Sequence, residues 1–341
     1  MLRGLHRFYL VQGQFQTAHV LGEQCFRLAQ QTQDADLLLD AQFALGESLF
    51  YLGELAAAQE YLTQGFALYT AAPQSSPVFR VVQDLGVSYL VHIAWILWLC
   101  GWPDQALQRC TEALTLARDL AHPFSQAYAL NFMTMFQQLR GDLSATHEQA
   151  VATATLSATQ GFPVFERLGR LMQGWARAAQ DYAAEGLAQL LEGWAAYQTT
   201  GAALFRSYFL SLLADTYGRL QQPEAGLRVL AEALAAEQTS GEGFYTAELH
   251  RLRGELLLQA GARHPQVGEA EACFGHARDL ARHRQAKALE LRAAVSLSRL
   301  WQRQGKRAEA RELLAPVYGW FTEGFDTADL QDARALLETL E

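Results

Sequence analysis

The apolar residues of the chain recur at the spacing of an α-helix. Segments such as FALGESLFYLG (43–53) and YALNFMTMFQQLRG (128–141) place apolar side chains three and four positions apart, which is the period of an amphipathic helix. Almost no segment shows the strict alternation or the β-branched enrichment that strands require. The pattern therefore predicts an all-α fold.

A longer period is superimposed on the helical one. A small residue follows a helix-ending turn by five positions at eight places, separated by 40, 48, 40, 40, 40, 44 and 40 residues: Ala18, Ala58, Ala106, Thr146, Gly186, Gly226, Ala270 and Ala310. The four extra residues of the sixth interval fall in the loop GARHPQVGEA (261–270). A period of this length is typical of solenoids. We therefore predict one α-solenoid domain over residues 1–341, a right-handed superhelix of about eight helix pairs.

The turns within the pairs have a common chemistry, visible in GELAAA (53–58) and GDLSAT (141–146). Glycine ends the first helix in a left-handed conformation, and Pro or Asp starts the second helix. The small residue allows the two helices to approach closely. These features are typical of tetratricopeptide repeats, and the period of about 40 leaves room for helices of about 17 residues, roughly 25 Å long.

The period breaks at two places. The interval before the third pair contains AAPQSSP (71–77), whose two prolines and two serines interrupt a helix, and this segment is a candidate hinge. After Phe321, either Asp326 or Thr327 can cap one further helix. We predict that this helix, over about 327–340, caps the array and ends it.

The C-terminal repeats carry a more specific signal. AELHRLRGELLLQAG (247–261) and GKRAEARELLAPVYGWFTEGFDTADLQDARALLE (305–338) resemble the tetratricopeptide region of large bacterial signalling proteins, which join an adenylate or guanylate cyclase to a STAND (AAA-type) ATPase. The resemblance covers residues 167–341 well and the earlier repeats more loosely. It implies a sensor or regulatory arm that keeps the ATPase inactive until an effector docks, with the ATPase and cyclase domains of the same parent protein as further partners.

The catalytic parts of those signalling proteins are missing from this sequence. It has no GxxxxGK[ST] phosphate-binding loop, since Leu300 stands where the first glycine before Gly305 and Lys306 should be. ATP hydrolysis is therefore not expected. Met1 precedes an unusually short first repeat, from which we expect that the chain is a severed arm.

Tetratricopeptide arrays bind partners on the concave wall formed by the first helix of each pair, three, six and ten residues before the turn glycine and one turn further back. The candidate partner-binding residues counted in this way are Trp95, Trp98, Asn131, Met135, Trp175, Tyr208, Asp215, Glu248, Arg251, Glu255 and Arg299. They change from aromatic to charged along the array, which favours a peptide or helix with an apolar anchor and a polar end. Two alternatives stay open: Trp95 and Trp98 as core residues, and Arg251 with Glu255 as an ion pair on a solvated helix face.

Composition narrows the classes of partner. The net charge of -9, from 27 basic and 36 acidic residues, does not favour nucleic-acid binding. The apolar stretch 85–102 contains Ser88 and His92 and is short for a membrane span, so it predicts a buried helix. Four cysteines without paired spacing, and no secretion leader, indicate a cytoplasmic protein.

The arrangement of reactive residue types favours binding over catalysis. Cys273, His276 and His283 share a helix, but the two histidines lie about 10 Å apart along it and do not match known zinc-ligand pairs. Neither GxSxG nor HExxH occurs. We therefore expect no enzymatic activity, no cofactor and no metal. The predicted function is a protein- or peptide-binding scaffold, and the alternative is a domain that senses a metabolite bound inside the superhelix.

Overall fold

The computed structural model describes residues 1–71, 83–180, 182–261 and 264–341, which form α-helices and connecting loops without a strand. The helices are α1 Leu2–Val11, α2 Phe15–Thr32, α3 Ala35–Leu52, α4 Leu55–Ala71, α5 Leu85–Leu99, α6 Pro103–Asp119, α7 Pro123–Arg140, α8 Leu143–Gln160, α9 Pro163–Ala179, α10 Ala183–Gln198, α11 Arg206–Arg219, α12 Pro223–Ser240, α13 Thr246–Ala260, α14 His264–His283, α15 Lys287–Arg303, α16 Arg307–Tyr318 and α17 Ala328–Thr339. The predicted all-α fold is confirmed.

The helices pair as the period predicts, from α1 with α2 to α15 with α16. The predicted small residues are buried at the start of each second helix, and several touch the partner backbone. A Cβ atom added at Gly186 would lie 2.3 Å from the backbone nitrogen of Ala178. One added at Gly226 would lie 3.1 Å from the carbonyl oxygen of Ala214. These contacts explain why the positions stay small, and the α-solenoid of eight helix pairs is confirmed.

Helix ends follow from the turn residues. Gly53 and Gly141 both adopt a left-handed conformation with φ of 81°, which an L side chain rarely takes. Asp142 then starts α8 by accepting a hydrogen bond from the backbone nitrogen of Ala145 at 2.9 Å. The capping helix α17 is also present, and Leu330 and Ala333 bury its apolar face in a cluster with α15 and α16.

Successive turns of the superhelix touch one another. The backbone nitrogen of Ala203, in the loop before α11, donates a hydrogen bond to the carbonyl of Val11 at 2.7 Å. Gly243, before α13, donates in the same way to Tyr51 at 2.6 Å. Each bond joins the end of a first helix to a loop five pairs further along the chain, so one superhelical turn takes about five pairs.

This winding fills the centre of the superhelix with aromatic side chains. Phe205 and Phe244 come from the loops before α11 and α13 and meet side chains of α3 and α5. Ring centroids lie 4.8 Å apart for Phe50 and Phe244, and 5.0 Å apart for Trp95 and Phe205. We call Phe50, Trp95, Phe205, Tyr208 and Phe244 the aromatic plug; each is buried, Phe205 being the most exposed at 6%.

The apolar stretch before Pro103 forms α5, in which every residue is buried. Within the described ranges, no helix combines the length and the apolar character needed to cross a membrane. The candidate hinge at 71–77 lies outside the described residues, apart from Ala71 at the end of α4.

Candidate functional site

The aromatic plug touches the walls of two cavities in the lumen of the superhelix that share no lining residue: Phe205 lines one, and the Tyr208 hydroxyl donates to Gln138 in the wall of the other. The cavity beside Gln138, of about 370 Å³, is lined by α7, α8, α9, α11, α13, α15 and α17. Its wall carries eight charged side chains, four acidic and four basic: Asp215, Arg219, Glu248, Arg251, Arg292, Arg299, Asp329 and Asp332. We call this cavity the charged cleft.

Glu248 lies at the centre of the charged cleft and is only 5% exposed. Arg251 grips its carboxylate with two hydrogen bonds of 2.7 and 2.8 Å, and Arg292 approaches to 3.4 Å. Burial alone would raise the pKa of Glu248, but the two guanidinium groups outweigh it and lower this pKa to about 2. The carboxylate therefore stays ionised and holds both arginines in place.

Arg292 connects this centre to three other parts of the fold. Its Nε atom lies 2.7 Å from a carboxylate oxygen of Asp329 on α17. Its Nη2 atom donates to the backbone carbonyl of Leu139 at 3.2 Å. Its guanidinium carbon lies 5.0 Å from the centre of the Trp98 ring, a cation–π distance. Trp98 is thus a buried platform for a cleft arginine.

The rim of the charged cleft is more accessible than its centre. Asp215 and Arg219 form an ion pair of 2.8 Å on α11, with side chains 33% and 47% exposed. Across the cleft, Arg299 pairs with Asp332 of α17, and both are more than 40% exposed. Exposed ion pairs contribute little to stability, so these groups can exchange their partners for a ligand at low cost.

Uncharged groups complete the wall. Gln138 accepts a hydrogen bond from the hydroxyl of Tyr208 at 2.7 Å, and Ser296 donates to Glu255 at 2.6 Å. Trp175 lies in the wall and is 4% exposed. Amides, hydroxyls, carboxylates and guanidinium groups together can satisfy both the backbone and the charged ends of a peptide.

The second cavity, of about 280 Å³, is the one that Phe205 lines. Nine aromatic side chains from α3, α7, α9, α10, α11 and their loops line it: Tyr51, Phe124, Tyr128, Phe132, Phe162, Phe165, Tyr197, Phe205 and Phe209. We call it the aromatic cavity.

Few polar groups reach the aromatic cavity. Glu47 and Arg7 form an ion pair of 2.8 Å in its wall. Burial opposes the ionised form of Glu47, but Arg7, His92 and His6 outweigh it and lower its pKa. Asn131 is 3% exposed, and its side-chain oxygen has no hydrogen-bond partner.

The structure distributes the eleven predicted binding residues over three environments. Trp175, Asp215, Glu248, Arg251 and Arg299 line the charged cleft, and Glu255 lies beside it, 3.5 Å from Arg251. Asn131 and Met135 line the aromatic cavity instead. Trp95 and Tyr208 belong to the plug, and Trp98 lies under Arg292, so none of these three offers open surface to a partner. They are buried because the next superhelical turn covers them.

The two alternatives for these residues also have an outcome in the structure. Trp95 and Trp98 lie in the core, at 0% and 3% exposure. Arg251 pairs with Glu255 but more closely with Glu248, and its side chain is 18% exposed. Arg251 therefore lines the charged cleft, whereas Glu255 lies beside it with a side chain 35% exposed.

Counting along the first helices missed most of the aromatic cavity. Its side chains come partly from loops, and the signal was an aromatic residue at the start of successive first helices: Phe124, Phe162 and Phe205 line the cavity, and Phe244 belongs to the plug. Such residues point into the lumen in a solenoid this tightly wound.

Cys273 and His276, which the sequence did not favour as zinc ligands, lie against apolar and aromatic side chains, respectively. Cys273 is 9% exposed, and burial raises the pKa of its thiol. The ring of His276 packs against His250, with centroids 4.4 Å apart. In the part of the chain that the structure describes, no three His, Cys, Asp or Glu side chains are placed to hold a metal ion.

Comparisons with solved structures bear on the fold. The chain is similar to the crystal structure of a Rap protein complexed with competence and sporulation factor, with a TM-score of 0.57, 15% identity, and coverage of 91% of this chain and 75% of that one. It is also similar to the Rap conjugation gene regulator of plasmid pLS20 in complex with the Phr* peptide, with a TM-score of 0.61, 10% identity, and coverage of 89% and 75%. The chain is a tetratricopeptide-like helical solenoid.

Sequence comparison adds a longer relative. The chain is 24% identical over 295 residues to uncharacterized protein R02095 of Rhizobium meliloti (strain 1021), a match that covers 86% of this chain and 28% of that protein. The solenoid thus spans less than a third of the length of this relative. No protein-family model matches the chain.

Proposed function

We propose that the charged cleft binds a peptide or a segment of a partner protein, and that the chain acts by binding without a catalytic step. One observation carries this proposal: five of the predicted inner-wall residues, from four different helices, converge on one cavity. Clefts inside helical solenoids are extended binding surfaces.

The chemistry of the cleft favours a peptide that carries both charges. Four carboxylates and four guanidinium groups balance each other in the wall, so an isolated anion or cation gains little net attraction. A zwitterionic peptide can exchange its charged groups for those of the Asp215–Arg219 and Arg299–Asp332 rim pairs. The two Rap proteins of similar fold, one of them described with the Phr* peptide, support a peptide ligand by analogy of fold alone.

The core of the cleft and its rim have different roles in this proposal. Glu248 is buried and pairs with Arg292, whose side chain is 12% exposed, so the two groups set the shape of the wall. Asp215, Arg219 and Arg299 are exposed enough to contact a ligand directly. Removing rim charges should therefore change affinity without unfolding the chain.

A display screen tests this proposal. Random decapeptides are selected on the intact chain, and binding of the enriched peptides is measured by calorimetry. The double variant Asp215→Asn, Arg219→Gln should weaken binding at least about tenfold, since rim charges are lost. The matched control is Glu166→Gln, Arg170→Gln, which removes an ion pair of the same 2.8 Å length on the surface of α9. Equal affinity of both double variants would refute the cleft assignment.

We infer further that the chain is the sensor arm of a signalling ATPase joined to a nucleotide cyclase. The resemblance of residues 247–261 and 305–338 to such arms supports this, and so does the greater length of the Rhizobium meliloti relative. Sequencing the upstream DNA tests it: an ATPase encoded in the same reading frame is expected. An upstream frame coding for an unrelated protein would overturn the inference.

The aromatic cavity favours a second candidate function, the sensing of a small molecule inside the superhelix.

For either function we propose the cytoplasm as the location, since all four cysteines are free thiols. A fluorescent fusion in the native host should show diffuse cytoplasmic signal, and signal outside the cytoplasm would contradict it.

A further inference from the structure

The walls of the aromatic cavity are built from side chains that already hold one another in place. Phe124 packs edge-on against Phe162 and Phe165, with centroids 5.3 and 5.2 Å away. Tyr128 and Phe132 lie 4.7 Å apart, and Phe132 meets Phe205 at 5.6 Å. The cavity is therefore preformed. Its volume of about 280 Å³ lies near the lower end of small-molecule sites, about 300–1,000 Å³, and suits a ligand of two or three rings.

One buried acceptor in this cavity lacks a partner. The side-chain nitrogen of Asn131 is 3.6 Å from the sulfur of Met135, but its oxygen makes no hydrogen bond and is buried. A buried unsatisfied acceptor is costly, and nearly all such groups in folded proteins have a partner. A ligand with one N–H or O–H donor would supply it.

The charges in the wall do not call for a charged ligand. Arg7 donates to Glu47 at 2.8 Å, so the two charges compensate each other. His92 lies behind them, with Nδ1 2.9 Å from the carbonyl of Ser88 and Nε2 3.7 Å from Glu47. A further charge in this apolar space would be buried without a counter-ion, at high cost. The ligand should therefore be neutral.

Backbone strain marks the same place. Phe205, which lines the cavity and belongs to the plug, has a left-handed conformation with φ of 57°, which is uncommon for a residue with a side chain. The bond from Ala203 to Val11 anchors its loop. Strain of this kind is concentrated at ligand-binding and switch sites.

We propose that the aromatic cavity is a second binding site, which takes a small, neutral, aromatic molecule. The side-chain oxygen of Asn131 accepts one hydrogen bond from this ligand. This site is distinct from the charged cleft, since the two cavities share no lining residue.

A fluorescent probe tests the proposal on the full chain. N-phenyl-1-naphthylamine is neutral and aromatic, has one N–H donor, and becomes fluorescent in apolar surroundings. It should bind saturably, with one molecule per chain. Val164→Trp fills the cavity from α9 and should weaken binding at least about tenfold. Leu143→Trp, the matched control at a partly buried position of the charged cleft, should leave it within about twofold.

The role of Asn131 has its own readout. Replacing it in Asn131→Leu should weaken binding of N-phenyl-1-naphthylamine about fivefold, because one hydrogen bond is lost. Binding of 1-phenylnaphthalene, which has no donor, should not fall. Circular dichroism checks that each variant is folded. If Val164→Trp does not fold, Ala202→Phe fills the same cavity and should weaken binding of N-phenyl-1-naphthylamine to the same extent. Absence of saturable binding, or equal binding by the filled and control variants, would overturn the proposal.

Discussion

The two cavities lie in the same lumen, but the chemical character of their walls is opposite. The charged cleft contains eight charged side chains, all paired with each other, whereas the aromatic cavity contains nine aromatic side chains and a single unsatisfied acceptor. Helix α7 contributes to both, with Gln138 and Leu139 on one side and Asn131 and Met135 on the other. The difference shows that a tightly wound solenoid can hold two chemically distinct sites in one lumen.

Removing the plug should have the largest effect. Phe205→Ala deletes a buried ring that touches Phe50, Trp95 and Phe244, and the backbone strain at this position remains. We expect the free energy of unfolding to fall by about 3–5 kcal/mol, measured by urea denaturation. Phe325→Ala, at a position 49% exposed, should change it by no more than about 0.5 kcal/mol. A fall of less than about 1 kcal/mol in the free energy of unfolding for Phe205→Ala would show that the plug does not stabilise the fold.

The centre of the charged cleft comes next. Glu248→Gln leaves Arg251 and Arg292, whose side chains are mostly shielded from solvent, without their shared carboxylate, so we expect a loss of about 3 kcal/mol in the free energy of unfolding. The control Glu166→Gln removes a more exposed carboxylate from an ion pair with Arg170 and should cost about 0.5 kcal/mol or less. Equal effects of the two changes would mean that the cleft centre is no more organised than the surface.

The loop that carries Phe244 should make stability depend on pH. Burial raises the pKa of Glu237 to about 8, with the nearby Glu242 carboxylate adding to the rise, and burial raises the pKa of Glu242 to about 7. Both groups titrate near 4.5 when unfolded, so the folded state binds protons more tightly. Stability should therefore fall as the pH rises from 4.5 through 8.

Glu237→Gln should remove much of this dependence. Between about pH 5 and about pH 9, we expect the native chain to lose about 2 kcal/mol more than this variant, measured by thermal or urea unfolding at each pH. Glu232→Gln, on the same helix with a side chain 49% exposed, should keep the native dependence. A native profile that is flat over this range would contradict the buried, protonated state of the two carboxyls.

The smallest effect concerns the aromatic cavity. Asn131→Leu replaces an unsatisfied buried oxygen with an apolar group of similar size. We expect the free energy of unfolding to stay the same or to rise by up to about 1 kcal/mol, in contrast to the loss at Glu248. A loss above about 2 kcal/mol would indicate that the Asn131 oxygen already has a partner inside the protein.

The sequence allowed the local architecture to be predicted because its determinants are local. Gly53 and Gly141 end helices through their own backbone conformation, and Gly186 is small because its partner helix is adjacent in the chain. Counting back from the turn glycines also selected Asp215, Glu248 and Arg299 as inner-wall residues, and all three line the charged cleft. Residues of consecutive first helices are neighbours in any array of this kind, so their position along each helix is enough to predict that they lie together.

The division of the lumen could not be predicted in the same way. It depends on contacts such as Ala203 with Val11 and Gly243 with Tyr51, between residues five pairs apart. These contacts depend on the small rotation between successive pairs, which accumulates along the array and leaves no local pattern. Trp95 and Tyr208 therefore lie on the inner wall, as the count predicts, but the next superhelical turn buries them.

Hydrogen exchange of the chain, measured with and without a display-selected peptide, locates the ligand among the helices and so tests whether the charged cleft is the peptide site. Added protection is expected in α11, α13, α15 and α17, which line the charged cleft, and none in α10 and α12, which do not. Protection confined to the outer helices, or to the first helices around the aromatic cavity, would contradict the assignment of the charged cleft as the peptide site.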